Sequence, residues 1–208
     1  IFTSGTTGRP KGCVLTHANF VQTAQAAEQQ IPEVTGEDGR CLLFLPQAHV
    51  FARFIEVLCV STGALLAHQS DLTKLTDALG SFKPTFILGV PRVFEKVFNS
   101  ALAKAQAGGK EKIFRRAEKV AVAYSKAQDA GRVPASLRLQ HALFDKLVYS
   151  KLKEALGGRC QVAVSGGAPL SSRLAHFFDG LGAGENAFYG GEPDTAFGQE
   201  FFLNGSQI

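Results

Sequence analysis

Residues 3–12 read TSGTTGRPKG, a run of small, hydroxylic and cationic residues that suits neither a core strand nor an amphipathic helix. Gly5, Gly8 and Gly12 allow sharp turns and a close approach of the backbone to a ligand. Lys11 adds a compact positive charge. Side-chain hydroxyls add further donors, and they belong to Thr3, Ser4, Thr6 and Thr7. Such a concave set of donors suits phosphate oxygens.

This loop differs from both common nucleotide-binding patterns. The pattern G-x-x-x-x-G-K-[ST] fails because Pro10 stands five residues after Gly5, and Lys11 is followed by Gly12 instead of a hydroxyl. The dinucleotide fingerprint fails because the loop contains no G-x-G. For a bare glycine-rich run, a surface loop without a ligand is therefore the default interpretation. A longer and more specific pattern is required before a phosphate site is inferred.

Composition indicates an ordinary globular protein: 208 residues, 45% hydrophobic, with a formal net charge of +4. The Lys and Arg residues are spread out, so we expect no nucleic-acid partner. The four cysteines have apolar neighbours and no C-x-x-C spacing, which favours buried reduced thiols in a cytoplasmic protein. No apolar run is long enough to span a membrane. The chain begins with Ile and contains no Met, so we expect it to be a piece of a larger protein.

Strand and helix patterns alternate along the chain. Short apolar stretches predict buried strands at 13–17, 41–46, 63–68, 84–91 and 160–165. Helical spacing and caps predict helices at 17–30, 51–60, 70–79 with Ser70 as cap and Gly80 as end, from Pro91 onward, and at 171–181. Residues 101–156 predict two or three helices that are more solvated than the others, with their charged residues on solvent-exposed faces. This order predicts an α/β fold with a parallel sheet covered by helices on both sides.

The loop at 3–12 resembles the phosphate-binding signature of the adenylate-forming (AMP-binding) enzymes, over ten contiguous residues that include the final Pro-Lys-Gly. Later segments follow in the order that family shows. LPQAHVFAR at 45–53 resembles its second signature, and VSGGAPLS at 164–171 resembles the loop that lies against adenine. LGVPRVFEKV at 88–97 is similar to a segment of the long-chain fatty-acid–CoA ligase branch.

The resemblance implies a fold and a reaction. The fold is part of the family's large N-terminal domain: an incomplete domain with a partial parallel-sheet core, over residues 1–182. The reaction is that of a long-chain acyl-CoA synthetase, an acid–thiol ligase. A carboxylate is first adenylated with ATP, and coenzyme A then accepts the acyl group as a thioester. The implied partners are these small molecules, with Mg²⁺ as cofactor; a peripheral membrane contact of the intact enzyme is compatible with the branch.

The resemblance also implies roles for single residues. Lys11 is the catalytic cation, and it binds the ATP phosphates together with Thr3, Ser4, Gly5, Thr6, Thr7 and Gly8. Thr3 corresponds to a position that helps to hold the metal, and Arg9 stands at a variable position without a role. Gly166, Gly167 and Ala168 correspond to the adenine-binding loop, although SGGAP alone is also an ordinary strand-ending turn. His49 corresponds to the acyl pocket, although a lone histidine beside Phe51 is more often simply packed.

Residues 183–208 depart from the family. The family continues into an apolar strand and a Tyr-Gly-x-Thr-Glu motif whose glutamate binds metal. Here Tyr189 and Gly190 are present, but no threonine precedes Glu192, so the metal role is not carried over. The preceding strand is not recognisable either. We therefore expect a divergent tail from residue 183.

Three functions remain open at this point. The first is a fragment of a long-chain fatty-acid–CoA ligase, which we expect to have little or no activity alone because the lid domain and second metal ligand contribute to orientation. The second is a non-catalytic nucleotide-binding remnant. The third is an adenylating ligase for aryl or amino acids.

Overall fold

The computed structural model describes residues 12–30, 36–165, 170–182 and 188–190. Within these residues, five strands form one parallel sheet in the order β2-β1-β3-β4-β5. The strands are β1 (Arg40–Leu43), β2 (Leu65–His68), β3 (Phe86–Gly89), β4 (Val162–Ser165) and β5 (Phe188–Gly190). The α/β class and the parallel sheet covered by helices are therefore confirmed.

Helices connect the strands and cover the sheet. They are α1 (His17–Gln30), α2 (Val50–Thr62), a 3₁₀ turn (Leu72–Lys74), α3 (Leu75–Phe82), α4 (Pro91–Ala107), α5 (Glu111–Asp129), α6 (Ala135–Phe144), a π-helical segment (Asp145–Tyr149), α7 (Ser150–Ala155) and α8 (Ser172–Asp179). Pro91 stands in the first turn of α4, as predicted, where its missing N–H costs no hydrogen bond.

Side chains of the central strands alternate between two separate cores. In β1, Cys41 and Leu43 face the core under α1 and α2, whereas Leu42 faces the core under α3, α4, α5 and α8. In β3, Phe86 faces the first core and Ile87 the second. This alternation explains the continuous apolar runs in the sequence, since a strand with both faces covered needs apolar residues at every position.

The second core is rich in aromatic rings. The ring of Phe98 meets those of Phe177 and Phe114 edge-on, at centroid distances of 5.0 and 5.5 Å. Tyr149 is fully buried and donates a hydrogen bond of 2.7 Å to the carbonyl of Ala117, while burial raises the pKa of its phenol well above the usual range. These contacts join α4, α5, α8 and the π-helical segment into one packed layer.

The segment 101–156 is less solvated than the sequence predicts. Glu118 of α5 is only 6% exposed, so its charge does not lie on a wet helix face. Its carboxylate pairs with Arg115, at 3.1 Å, and with Arg173 of α8. A buried carboxylate needs such partners because desolvation otherwise disfavours its charge. The prediction of solvated charges is thus wrong at this residue.

Three predicted elements differ in the structure. Residues 13–16 are not a strand. The strand β2 is buried only in part, because it lies at the edge of the sheet. The helix predicted from Ser70 begins instead with a 3₁₀ turn capped by Asp71, and α3 runs past Gly80 to Phe82.

A fourth difference concerns the tail. The sequence shows no recognisable strand after residue 182, yet β5 at 188–190 pairs with β4 in parallel, with Gly190 opposite Ser165. Three residues with one aromatic pair carry too little periodicity to be recognised as a strand. The absence of a strand was therefore a wrong expectation for 188–190.

Gly180 tests the contact between α8 and α5. A Cβ atom at Gly180 would overlap the backbone carbonyl of Ala121, which cannot move without shifting α5. We expect Gly180→Ala to lower the free energy of unfolding by about 1–3 kcal/mol or more, as in overpacked cores, measured by urea denaturation.

Gly80→Ala is the matched control, because Gly80 lies in the interior of α3 with open space around its Cβ position. We expect this variant to be more stable by about 0.5–1 kcal/mol, the difference in helix propensity. Equal effects of the two substitutions would contradict the close packing of α8 on α5.

Candidate functional site at the carboxyl edge of the sheet

The strand order reverses between β1 and β3. From β1 the chain crosses through α2 to β2 on one side, whereas from β3 it crosses through α4 to β4 on the other. The two helices cover opposite faces of the sheet. Loops that leave in opposite directions open a crevice outside the carboxyl ends of the strands, which is where open α/β sheets bind ligands. The candidate site is therefore this carboxyl edge.

The loop after β1 carries His49 to this edge. His49 has extended backbone angles immediately before α2, and its amide donates a hydrogen bond of 2.9 Å to the carbonyl of Pro46. Its own carbonyl accepts from the amide of Arg53 at 3.2 Å and so starts the helix. The His49 side chain is exposed. Of the predicted site residues, His49 alone lies within the described part of the chain.

A polar network that the sequence analysis missed fixes this loop. The amide of Gln47 donates a hydrogen bond of 2.7 Å to a carboxylate oxygen of Glu56 and lies 3.4 Å from Nδ1 of His68 at the end of β2. The other oxygen of Glu56 pairs with Arg53 at 2.9 Å. The spacing of Arg53 and Glu56 on a predicted helix could have indicated their pairing, but the long-range contact of Gln47 with His68 has no local signal.

The loop after β3 meets the loop after β1 through an aromatic contact. A Cβ atom at Gly89 would lie 3.3 Å from the ring of Phe44 and 3.6 Å from that of Phe94. Both rings are almost completely buried. The glycine at the end of β3 therefore leaves the space that Phe44 fills at the reversal of strand order.

Ser165 ends β4 at the same edge. Its side chain is 3% exposed, and among the described residues its hydroxyl has no hydrogen-bond partner. A buried hydroxyl without a partner costs about 1–3 kcal/mol, so such a group is typical of a site where a partner is supplied from elsewhere. The predicted adenine loop begins at the next residue.

The other predicted site residues lie outside the described residues. These are the phosphate and metal residues Thr3, Ser4, Gly5, Thr6, Thr7, Gly8 and Lys11, and the adenine residues Gly166, Gly167 and Ala168. Within the described ranges, no group of three His, Cys, Asp or Glu side chains is placed to hold a metal ion.

Comparison with known proteins gives a consistent result. The family model described as AMP-binding enzyme matches residues 1–191. A long-chain-fatty-acid–CoA ligase of Mycobacterium tuberculosis, FadD15, is 49% identical over 182 residues, covering 88% of this chain and 30% of that protein. The peroxisomal long chain acyl-CoA synthetase 7 of Arabidopsis thaliana is 33% identical, covering 85% of this chain and 24% of that protein. The chain thus spans less than a third of these relatives.

A solved structure has a similar fold. It is the adenylation domain of a carboxylate reductase from Mycobacterium chelonae, with a TM-score of 0.60 and 26% identity, covering 87% of this chain and 24% of that one.

The contact between Gly89 and Phe44 gives a test of the carboxyl edge. We expect Gly89→Ala to destabilise the chain by about 1 kcal/mol, because the added methyl group forces the Phe44 ring to move. In Phe44→Leu the smaller side chain leaves room for the methyl group, so the double variant loses less stability than the sum of the two single variants. Urea denaturation of all four proteins measures this coupling, and additivity within about 0.3 kcal/mol would contradict it.

Proposed function

Because the chain belongs to the AMP-binding enzyme family, we propose that it forms part of the adenylation site of an ATP-dependent long-chain fatty-acid–CoA ligase. The observation that carries this proposal is the 49% identity to a long-chain-fatty-acid–CoA ligase over 88% of the chain. The signature at 3–12 and the carboxyl-edge crevice support it, since the first offers donors to phosphates and the second offers a place for a nucleotide.

The proposed reaction has two steps. A carboxylate oxygen of the fatty acid attacks the α-phosphorus of ATP, the bond to the β-phosphate breaks, and pyrophosphate leaves with the electron pair. The thiol sulfur of coenzyme A then attacks the acyl carbon of the acyl-adenylate. AMP leaves, the thiol proton is released, and a thioester remains. Catalysis of such transfers depends mainly on orientation and on neutralisation of phosphate charge.

We assign the phosphate side of the site to the loop at 3–12. Lys11 neutralises charge on the β- and γ-phosphates, while the hydroxyls and backbone amides of 3–8 donate hydrogen bonds to their oxygens. A Mg²⁺ ion would supply further charge neutralisation when bound. Phosphate oxygens would provide most of its ligands and the hydroxyl of Thr3 a protein ligand, which fits a hard cation that prefers oxygen.

We assign the adenine and acyl sides to the loops that end β4 and β1. Gly166, Gly167 and Ala168 have little or no side chain, so an adenine ring can lie flat against their backbone. The buried Ser165 hydroxyl next to them is available to a polar partner. His49, held before α2 by its backbone hydrogen bonds, lines the entrance for the acyl chain. It needs no role as a base, because the substrate carboxylate is already ionised at neutral pH.

The cellular setting and the domain boundary are also proposals. Cys41 and Cys59 lie side by side in one core. The pKa of Cys41 is raised mainly by the hydrogen bond between the two thiols and, as the second cause, by burial. Burial raises the pKa of Cys160 to about 12. The hydrogen bond between Cys41 and Cys59 lowers the pKa of Cys59. Cys13 is exposed, so the expectation of buried thiols is wrong at that residue. Reduced thiols at Cys41, Cys59 and Cys160 suit the cytoplasm. No helix in the described ranges is long and apolar enough to cross a bilayer.

We keep residues 1–182 as the family domain and 183–208 as a divergent tail. The family model itself extends to residue 191.

Lys11→Ala in the full-length protein that carries this sequence tests the phosphate assignment. We expect adenylate formation, measured by exchange of labelled pyrophosphate into ATP, to fall by at least about 100-fold, as when one preorganised charge-stabilising group is lost. Arg9→Ala is the matched control, since it removes a cation from the same loop at a position without an assigned role, and it should retain activity. Similar losses in both variants, or none in Lys11→Ala, would contradict the assignment.

A nucleotide-binding remnant is the second candidate, because no threonine precedes Glu192 and the family's metal-binding motif is therefore not recognisable at Tyr189 and Gly190. The 208-residue chain itself discriminates. ATP binding by the chain in equilibrium dialysis, together with failure of the full-length protein to release pyrophosphate with palmitate, favours the remnant. Release of pyrophosphate by the full-length protein with aryl or amino acids instead of palmitate favours an adenylating ligase for those acids. For the chain alone we expect little or no pyrophosphate release, since turnover near that of an intact synthetase requires the missing groups.

A further inference from the structure

A cavity of about 380 Å³ lies beside the second half of α4, between that helix, α3, the start of α5, the π-helical segment and α7. Its size is within the range of about 300–1,000 Å³ that is usual for small-molecule sites. Phe114 and Leu152 line it and are almost completely buried, so they form its floor. Ile113 and Leu147 also line it and are about half exposed, so they lie at its mouth. We call it the cavity beside α4.

Three lysines border this apolar cavity: Lys104, Lys110 and Lys151. All three side chains are exposed. Among the described residues, none of the three forms an ion pair, and no Asp or Glu lines the cavity. The cavity therefore combines an apolar interior with uncompensated positive charge at its border.

Acids that follow these lysines in the fold are paired with other cations. Glu111 pairs with Arg115 at 3.8 Å, and Asp145 pairs with Lys153 at 3.0 Å. Residues 104–154 as a whole contain twelve Lys and Arg against five Asp and Glu. The expectation that Lys and Arg are evenly spread is thus wrong once the charges are assigned to elements of the fold. The excess of positive charge favours an anionic ligand for the cavity.

The helix that forms one wall of the cavity is irregular at the place where it lines it. Between α6 and α7, Asp145–Tyr149 form a π-helical turn, and Leu147 and Val148 of this turn line the cavity. Such turns are rare and occur frequently at functional sites. The irregular turn is an observation independent of the charge, and it also points to a ligand at this place.

The cavity beside α4 lies apart from the proposed nucleotide site. Lys104 stands thirteen residues after Pro91, which is about 20 Å along the axis of a helix that begins at the carboxyl edge. The cavity borders the second core, whereas His49 precedes α2 on the opposite face of the sheet. Among the described residues that line the cavity, none belongs to the loops that follow β1, β3 or β4.

We propose that the cavity beside α4 binds a single-chain aliphatic anion at a site separate from the adenylation site. The aliphatic chain lies among the apolar walls, because each methylene group removed from water adds affinity. The anionic head group lies at the border, where the ammonium groups of the three lysines donate charge-assisted hydrogen bonds to it. A mostly apolar pocket with a few polar groups that fix orientation is the usual form of a small-molecule site.

Photo-crosslinking of the full-length protein that carries this sequence locates the ligand. The probe is decanoate with a diazirine at the end of its chain, and labelled peptides are identified by mass spectrometry. We expect label within 97–105, 113–114 and 147–155, and its displacement by excess decanoate. A hydrolysis-resistant decanoyl-adenylate analogue, which occupies the proposed adenylation site, should leave this label in place.

Calorimetric titration of the same protein, saturated with the adenylate analogue, measures the two contributions to affinity. Decanoate should bind about 10-fold more tightly than decanol, because the alcohol has no charge to pair with the lysines. Octanoate, with two fewer methylene groups, should bind about 10-fold more weakly than decanoate.

A substitution that fills the cavity has a matched control on the same helix. Ala101 lines the cavity, so Ala101→Leu should weaken decanoate binding by about 10-fold or more because the added atoms occupy its space. Ala103 is exposed on α4 and does not line the cavity, so Ala103→Leu should leave the affinity unchanged.

The lysines are tested by the preference for the charged ligand. The double variant Lys104→Gln, Lys151→Gln should bind decanoate and decanol with similar affinity. The control Lys112→Gln, Lys119→Gln removes the same charge from exposed positions that do not line the cavity, and it should retain the preference for decanoate.

Three results would overturn the proposal. The first is displacement of the label by the adenylate analogue, because the probe would then occupy the adenylation site. The second is absence of label from the cavity, because another segment of the full-length protein would then fill it or no such anion would bind. The third is equal effects of the cavity variants and their controls. The inference does not rest on the proposed ligase reaction, which the Lys11→Ala experiment tests without changing the cavity.

Discussion

The parallel sheet can exist only if both of its faces are covered, and this constraint organises the molecule. Cys41 and Leu43 point to one core and Leu42 to the other, so β1 cannot be stable without α2 on one face and helices such as α4 and α8 on the opposite face. Because the crossover through α2 uses one face and the later crossovers through α3 and α4 use the other, the strand order reverses between β1 and β3. The crevice at the carboxyl edge is a direct consequence of that reversal.

Packing at the reversal and polar contacts beside it determine the shape of the crevice. Phe44 fills the space that Gly89 leaves at the end of β3, so the two loops that leave in opposite directions are held against one another. Gln47 ties the first of these loops to α2 and to the end of β2. Ser165 brings a buried hydroxyl to the same edge from β4. An edge built in this way carries loop backbones and a few polar groups above an apolar base.

The sequence predicts the central features of this fold because they depend on local patterns. The apolar runs at 41–46 and 84–91 identify β1 and β3. The signature at 3–12 predicts a phosphate site, and that prediction lies outside the described residues. The contact of Gln47 with His68 and the burial of Glu118 could not be predicted, because both depend on residues brought together only by the fold. The partial exposure of β2 was missed for the same reason, since an apolar run does not reveal which strand lies at an edge.

Hydrogen exchange measured by mass spectrometry on the full-length protein, with and without ATP, tests most directly whether the carboxyl edge is the nucleotide site. The account predicts that ATP slows exchange in the loops that follow β1, β3 and β4, at 44–50, 89–92 and 165–170, and in the signature at 3–12. Exchange in the opposite loops before β1 and β4, at 36–39 and 157–161, should not change. Slower exchange confined to those opposite loops would contradict the account. So would slower exchange confined to the cavity beside α4 that Val97, Ile113 and Leu147 line.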